Sequence, residues 1–156
     1  MSRSSVSAAT RSAKSSRLRD GSNSASIAAR PTSGIGLVAY SPLARGFLSG
    51  AVRQRDDYAL DDFRRTVGWW APENFATNMR MVVALNELAK SKGITLAELS
   101  LAWILARKEY IVPIPGARHP DRVSLNAAAA DIVLSEGDLA RMLDNIPTGA
   151  IGGRGM

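Results

Sequence analysis

Two arginines beside a predicted helix start form the pattern in this sequence that is most suggestive of chemistry. The tripeptide Gly116-Ala117-Arg118 precedes a helix that begins near Pro120, and Arg122 falls in its first turn. A helix N-terminus carries unpaired N–H groups and a partial positive charge, so two guanidinium groups beside it make a phosphate receptor. Asn126 follows Arg122 by four positions and shares its helix face. The alternative interpretation is that both arginines are solvated surface residues.

Other residue types that could catalyse a reaction or bind a metal are scarce or poorly spaced. The chain has no cysteine, which excludes disulfides and thiolate metal sites, and its one histidine is His119. We expect His119 to lie at the surface. An acidic cluster lacks the regular spacing and central glycine of a calcium loop, so we predict no metal site. The cluster consists of Asp56, Asp57, Asp61 and Asp62.

Two strands and four helices are predicted to position these residues. Residues 35–40 form an apolar run that ends at Ser41-Pro42, which is typical of a buried parallel strand. Residues 110–115 predict a second strand, although Pro113 favours an edge position. Helices are predicted over residues 73–92, about 95–109, about 120–130, and from Ser135 to just before Pro147. Because helices separate the strands, we expect an α/β fold with a parallel sheet.

Local signals mark the helix ends. Gly93 is a candidate left-handed cap. Thr95 and Glu98 have the spacing of a capping box, and Ser135 can cap the last helix. These signals set the boundaries of the predicted helices.

A long connection, residues 42–72, joins the first strand to the first helix. A loop of that length in a compact domain is usually functional or disordered. It contains Trp69 and Trp70, which with Phe75 either line a pocket or pack against the helices. The sequence leaves both alternatives open.

The positive charge of the chain is concentrated at its N-terminus. Residues 1–30 hold six of the 20 basic residues and one of the 14 acidic residues, so the remainder is nearly neutral. Residues 1–34 are rich in Ser, Arg and Ala and lack periodicity, which predicts a disordered tail. The alternatives are a transit peptide, a weak nucleic-acid-binding tail, and a frame-shifted or mis-started translation. No apolar run reaches the ~18 residues of a membrane span, and we expect a soluble cytoplasmic protein.

The segments around both predicted strands resemble the end of an aldo-keto reductase. They are Gly36-Leu-Val-Ala-Tyr40-Ser-Pro-Leu-Ala-Arg45-Gly-Phe-Leu-Ser-Gly50 and Ile111-Val-Pro-Ile-Pro115-Gly-Ala-Arg118. The resemblance covers residues 35 to about 147, and we expect residues 148–156 to be a frayed glycine-rich tail. The resemblance implies that the chain contains the last two strand–helix units and the C-terminal helix of a (β/α)₈ TIM barrel. Such a barrel typically takes ~250 residues, so a chain of 156 residues would hold an incomplete barrel.

The resemblance also implies a site for NADP(H). In the family, the segment that corresponds to residues 116–126 binds the adenosine 2′-phosphate and the adenine. Gly116, Ala117, Arg118 and Arg122 would contact the phosphate, and Asn126 would contact the adenine. One departure is Leu125, which stands where many members carry an acid that meets the adenine amino group.

The first strand corresponds to the other end of the cofactor. By resemblance, Tyr40 would stack on the nicotinamide ring, and an aromatic ring suits a flat partner. The residues that follow it would wrap the pyrophosphate. These are Ser41, Pro42, Leu43 and Arg45.

Catalytic residues are not expected in this chain. The family reduces carbonyl compounds with an Asp, Tyr, Lys and His tetrad from the first half of the barrel, and no stretch here matches those motifs. General acid catalysis typically contributes ~10²–10⁴-fold, so the first hypothesis is a C-terminal fragment, inactive or nearly so by itself. Its intact parent would be an NADPH-dependent oxidoreductase acting on aldehydes or ketones as small-molecule carbonyl substrates.

Two alternative functions stay open. An unclosed parallel sheet exposes strand edges and apolar helix faces, so the chain could be a non-catalytic piece. It would then associate with a complementary N-terminal half or with itself. In the other alternative, the basic tail makes the chain an anion- or nucleic-acid-binding module, which we disfavour. No membrane partner is expected.

Overall fold

The computed structural model describes residues 35–146 and 150–152 of the chain. The tail predicted at residues 1–34 lies outside the described residues. The same holds for residues 147–149 and 153–156, and therefore for most of the predicted glycine-rich end.

Two short parallel strands form the sheet within the described residues. Strand β1 (Leu37–Ala39) pairs with β2 (Ile111–Pro113), with the first residue of each strand opposite the other. The predicted parallel arrangement is confirmed. The strands are shorter than the predicted residues 35–40 and 110–115, and β2 tolerates Pro113 because it has no further strand beyond it in the described part.

Four α-helices follow the predicted order. They are α1 (Pro72–Ser91), α2 (Leu96–Leu105), α3 (Pro120–Ala128) and α4 (Glu136–Asn145). A 3₁₀ turn over Ala129–Asp131 extends α3 to about the predicted end. The prediction for α2 was too long, because the chain turns after Leu105 to bring β2 alongside β1.

The predicted helix caps are present. Gly93 has a φ of 69°, the left-handed conformation expected after α1. The Thr95 hydroxyl accepts the Glu98 N–H at 3.2 Å, and the Glu98 carboxylate accepts the Thr95 N–H at 2.8 Å. Ser135 and Asp138 form the same reciprocal pair at the start of α4, with distances of 2.9 and 3.1 Å.

The long connection is ordered and contributes to the core. Four short 3₁₀ turns interrupt it: Ala44–Gly46, Arg55–Asp57, Phe63–Thr66 and Gly68–Trp70. Trp70 is buried, packs edge-to-face on Phe47 with ring centroids 4.9 Å apart, and donates its indole N–H to the Arg53 carbonyl at 3.1 Å. Trp69 and Phe75 pack against the same cluster. These aromatic residues therefore stabilise the core of helices and connection.

One face of the sheet is covered at β2 and the other is open. Helix α2 packs beside β2, where Ile111 is 4% exposed. Side chains alternate along a strand, and the opposite face carries apolar residues that are each at least half exposed. They are Val38, Tyr40, Val112 and Ile114, with exposures of 61, 75, 56 and 50%.

A buried asparagine holds the segment of residues 150–152 against α1. The Asn78 side chain accepts the Ile151 N–H at 2.8 Å and donates to the Ile151 carbonyl, also at 2.8 Å. It also donates to the Trp69 carbonyl at 3.3 Å. At 2% exposure, Asn78 therefore satisfies polar groups from two other segments.

The change Asn78→Asp should destabilise the chain, since it keeps the shape of the side chain but removes both amide donors. We expect the free energy of unfolding in urea to fall by about 1–3 kcal/mol, the cost of unpaired buried polar groups. Asn86→Asp, at a half-buried position of the same helix, is the matched control. Equal stability of the two variants would contradict this role of Asn78.

An ion pair joins the end of α1 to the start of α4. The Lys92 ammonium donates to the Asp138 carboxylate at 2.6 Å. This hydrogen bond, with those from the Ser135 N–H and hydroxyl, lowers the pKa of Asp138 from 3.8 to about 2. The unfolded chain thus takes up this proton at a higher pH than the folded chain. The contribution of Asp138 to stability is present above pH 3.8 and is lost as the pH falls towards 2.

The change Asp138→Asn should therefore flatten the loss of stability on acidification. At neutral pH we expect the free energy of unfolding to fall by about 1 kcal/mol, because a partly buried ion pair is removed while an amide oxygen can still cap α4. Urea titrations at a series of pH values measure both effects. Asp144→Asn, at an exposed site on the same helix, should keep the parental acid response; the same flattening there would refute the assignment.

Candidate functional site

The loop after β1 is held in an unusual backbone conformation. Ser41, Ala44 and Arg45 have φ values of 52°, 48° and 56°, a left-handed region that residues other than glycine seldom adopt. Each such residue costs on the order of 1–3 kcal/mol, and strain of this kind clusters at functional sites. The loop is therefore a candidate part of a binding site.

Hydrogen bonds and a core anchor keep this loop in place. Successive turns are closed by bonds from the Ala44 N–H to the Ser41 carbonyl at 2.9 Å and from the Gly46 N–H to the Leu43 carbonyl at 2.9 Å. Phe47 follows at once and is only 2% exposed. Burial of its ring fixes the end of the loop against the helices.

The second component of the site is the segment after β2. Because the strands are parallel, their carboxyl ends lie at the same edge of the sheet, and the Ile114 N–H donates to the Ala39 carbonyl at 3.2 Å. The segment ends at His119, the residue before α3, and Pro120 occupies the first turn of that helix. His119 is exposed, as predicted.

The two segments line an open cavity of about 540 Å³, which we call the strand-end cavity. Its lining contains all ten residues that the resemblance assigns to the cofactor: Tyr40, Ser41, Pro42, Leu43, Arg45, Gly116, Ala117, Arg118, Arg122 and Asn126. The structure thus brings together two groups of residues about 70 positions apart in the chain.

Six further residues line this cavity and were not predicted. They are Gly46, Ser49, Ala97, Ile114, Pro115 and His119. Most are chain neighbours of predicted residues and follow from them. Ala97 comes from the first turn of α2, and no sequence signal marks it, because only the packing of α2 beside the sheet brings it to the cavity.

The strand-end cavity is suited to an anion. Its lining, within the described residues, includes the guanidinium groups of Arg45, Arg118 and Arg122 and no acidic side chain. The Nη1 atom of Arg45 is buried and has no hydrogen-bond partner in the described part of the chain. Buried donors are nearly always paired, so this unpaired nitrogen on a cavity-lining arginine points to a partner that the described residues do not supply.

A second cavity of about 810 Å³, the side cavity, adjoins the first. Tyr40, Arg45 and Arg118 line both cavities. The remaining lining comes from the long connection: Ala59, Asp61, Asp62, Phe63 and Arg64. The Arg64 side chain donates to the Asp62 carboxylate and lowers the pKa of Asp62 from 3.8 to about 2. Both side chains are therefore charged at neutral pH.

The acidic cluster in the long connection takes part in local structure. Asp56 pairs with Arg65 at 3.3 Å, and Asp57 accepts the Gln54 N–H at 3.2 Å. Among residues 35–146 and 150–152, no group of three His, Asp or Glu side chains is placed to hold a metal ion. In the same residues, no helix is both long and apolar enough to cross a membrane.

A family model described as "Aldo/keto reductase family" matches residues 12–145. The match begins inside the predicted tail, before the boundary at residue 35 that we expected for the resemblance. Residues 12–34 lie outside the described residues.

Curated relatives point to the same family. Aldo-keto reductase yakc of Schizosaccharomyces pombe, whose name specifies NADP(+), is 40% identical over 102 residues, or 65% of this chain and 30% of its own length. Aldo-keto reductase str7 of Strobilurus tenacellus is 36% identical over 107 residues, covering 69% of this chain and 32% of its length. The chain thus spans about a third of the length of these relatives.

The fold is shared with a solved structure of low identity. The glycerol dehydrogenase AKR11B4 from Gluconobacter oxydans superposes with a TM-score of 0.65 at 21% identity, over 76% of this chain and 36% of that one. Family members are (β/α)₈ barrels, in agreement with the parallel strands and helices seen here. On the family match over residues 12–145, this chain belongs to the aldo/keto reductase family of oxidoreductases.

Proposed function

We propose that this chain forms part of the NADP(H) site of an aldo-keto reductase and does not reduce carbonyl compounds by itself. The observation that carries the proposal is the strand-end cavity, because both groups of predicted cofactor residues line it. The NADP(+) named for the fission-yeast relative supports the choice of cofactor.

The adenosine end of the cofactor fits the segment after β2. Arg118 and Arg122 flank the N-terminus of α3, whose free N–H groups and partial positive charge favour a 2′-phosphate. The Asn126 amide, one turn further along, can hydrogen-bond the adenine. Leu125 is 39% exposed and offers only apolar contact, so adenine recognition depends on Asn126.

The pyrophosphate and nicotinamide fit the strained loop after β1. Arg45 offers a buried, unpaired N–H donor to an anion, and a charge-assisted bond of this kind is stronger than a neutral one. Tyr40 is 75% exposed and presents a flat aromatic face at the end of β1. The chain would therefore bind and orient the cofactor along its length.

NADPH, when bound, supplies the hydride for carbonyl reduction. Reduction also needs a proton donor near the carbonyl oxygen, and the family's tetrad motifs have no match in this sequence. Tyr40 is assigned to stacking on the nicotinamide and His119 lies beside the phosphate-binding arginines. With Tyr40 assigned to the nicotinamide ring and no match to the tetrad, we infer that the chain binds the cofactor without turnover.

A second candidate function is association with a complementary barrel segment or with a second copy. The open face of the sheet favours it, since Val38 and Val112 are each more than half exposed and do not line the strand-end cavity. The chain spans about a third of the length of its relatives, whose remaining strands could cover this face. The carbonyl substrate would belong to that assembly.

The changes Arg118→Ala and Arg122→Ala should weaken NADP⁺ binding selectively. Each removes a charged donor from the 2′-phosphate, and we expect Kd for NADP⁺ to rise about tenfold or more, with little change for NAD⁺. Titration of both nucleotides by calorimetry measures this difference. Arg141→Ala, at an exposed site on α4, is the control; a loss of the same size for NAD⁺ would show that the arginines do not read the phosphate.

The purified chain should not oxidise NADPH in the presence of aldehydes. Enzymes commonly turn over at about 1–10³ s⁻¹, and such a rate from this chain alone would refute the proposed inactivity. Co-expression with the N-terminal segment of a full-length relative should restore turnover if the second candidate holds. A stable monomer that does not bind this segment would count against that candidate.

A further inference from the structure

Arg45 lies at the junction of the strand-end and side cavities and contacts an aromatic ring from the long connection. The centre of its guanidinium group is 4.6 Å from the centroid of the Phe63 ring, within the ~6 Å range of a cation–π interaction. Phe63 is 51% exposed. Burial in the core therefore does not account for the position of this ring.

The segment that carries Phe63 is held firmly by its own side chains. Asp62 accepts the Arg64 N–H at 2.9 Å and also binds the Arg64 guanidinium, which lies 4.0 Å from the centre of the Tyr58 ring. Arg65 donates to the Tyr58 carbonyl at 3.1 Å. The backbone on both sides of Phe63 is thus held by contacts within the long connection.

The contact constrains Arg45 in a way that suits ligand binding. A guanidinium group stacked on a ring keeps its in-plane N–H donors free for hydrogen bonds. One of these donors, Nη1, is buried without a partner among the described residues. The left-handed backbone of Arg45, with φ at 56°, further restricts the direction of the side chain.

We propose that Phe63 is a positioning residue that holds the Arg45 guanidinium for the pyrophosphate of NADP(H). The inference rests on the proposed function, and it extends that function to a residue of the long connection that does not line the strand-end cavity. Phe63 acts through Arg45. It restricts the guanidinium to few orientations in the free chain, so less conformational entropy is lost when the pyrophosphate binds.

Two ligands separate this role from a general effect on the site. NADP⁺ contains the pyrophosphate, whereas 2′-AMP contains the adenosine and 2′-phosphate without it. For Phe63→Ala we expect Kd for NADP⁺ to rise about fivefold, the equivalent of a surface cation–π contact. Kd for 2′-AMP should not change. Both constants are measured by calorimetry on the whole chain.

Conservative variants and a double mutant identify the cause. Phe63→Tyr keeps an aromatic face and should bind NADP⁺ as the parent does, whereas Phe63→Leu keeps apolar bulk and should behave like Phe63→Ala. In an Arg45→Ala background, Phe63→Ala should add no further loss, because coupled residues are not additive. Thermal unfolding of each variant confirms that it is folded.

Distinct results overturn distinct claims. Unchanged NADP⁺ binding in Phe63→Ala, parental binding in Phe63→Leu, or equal losses for NADP⁺ and 2′-AMP would overturn the role of Phe63 alone. If the parent chain binds neither ligand, the proposed function fails, and the role of Phe63 fails with it.

Discussion

The parallel pairing of β1 with β2 is the constraint on which the candidate site depends. Parallel strands end at the same edge of a sheet, so the loop after Ala39 and the loop after Pro113 must lie side by side. The Ile114 N–H bond to the Ala39 carbonyl at 3.2 Å joins them at that edge. If the pairing shifted by one residue, the side chains of one strand would change faces. A shift of β2 would therefore turn Ile114 away from the strand-end cavity that it lines.

The conformation of the loop after β1 is maintained by the core beside it. Left-handed φ values at three residues other than glycine are unfavourable locally, so the surroundings must supply the compensating stability. Phe47 packs on Trp70, and the Trp70 indole N–H donates to the Arg53 carbonyl. The long connection therefore stabilises the strained loop, and through Phe63 it also contacts the arginine that the loop presents.

The arginines of the strand-end cavity and the open face of the sheet support two different proposals, cofactor binding and association with a partner. Three arginines and a helix N-terminus suit the strand-end cavity to an anionic ligand. On the open face of the sheet, Val38 and Val112 are apolar, exposed and absent from the lining of that cavity. Binding of the cofactor and contact with a partner can therefore be disrupted by separate substitutions.

Much of this architecture was readable from local sequence. Helix caps depend on neighbouring residues alone, so they can be recognised without the tertiary structure. Examples are the capping pair Thr95 and Glu98 and the turn at Gly93. The two groups of cofactor residues were recognised by their resemblance to a family. Three features needed the tertiary structure: the core position of Trp70, the approach of Ala97 to the cavity, and the contact of Phe63 with Arg45. Each joins segments distant in the chain, and no periodicity or local motif records which distant side chains will meet when the helices pack.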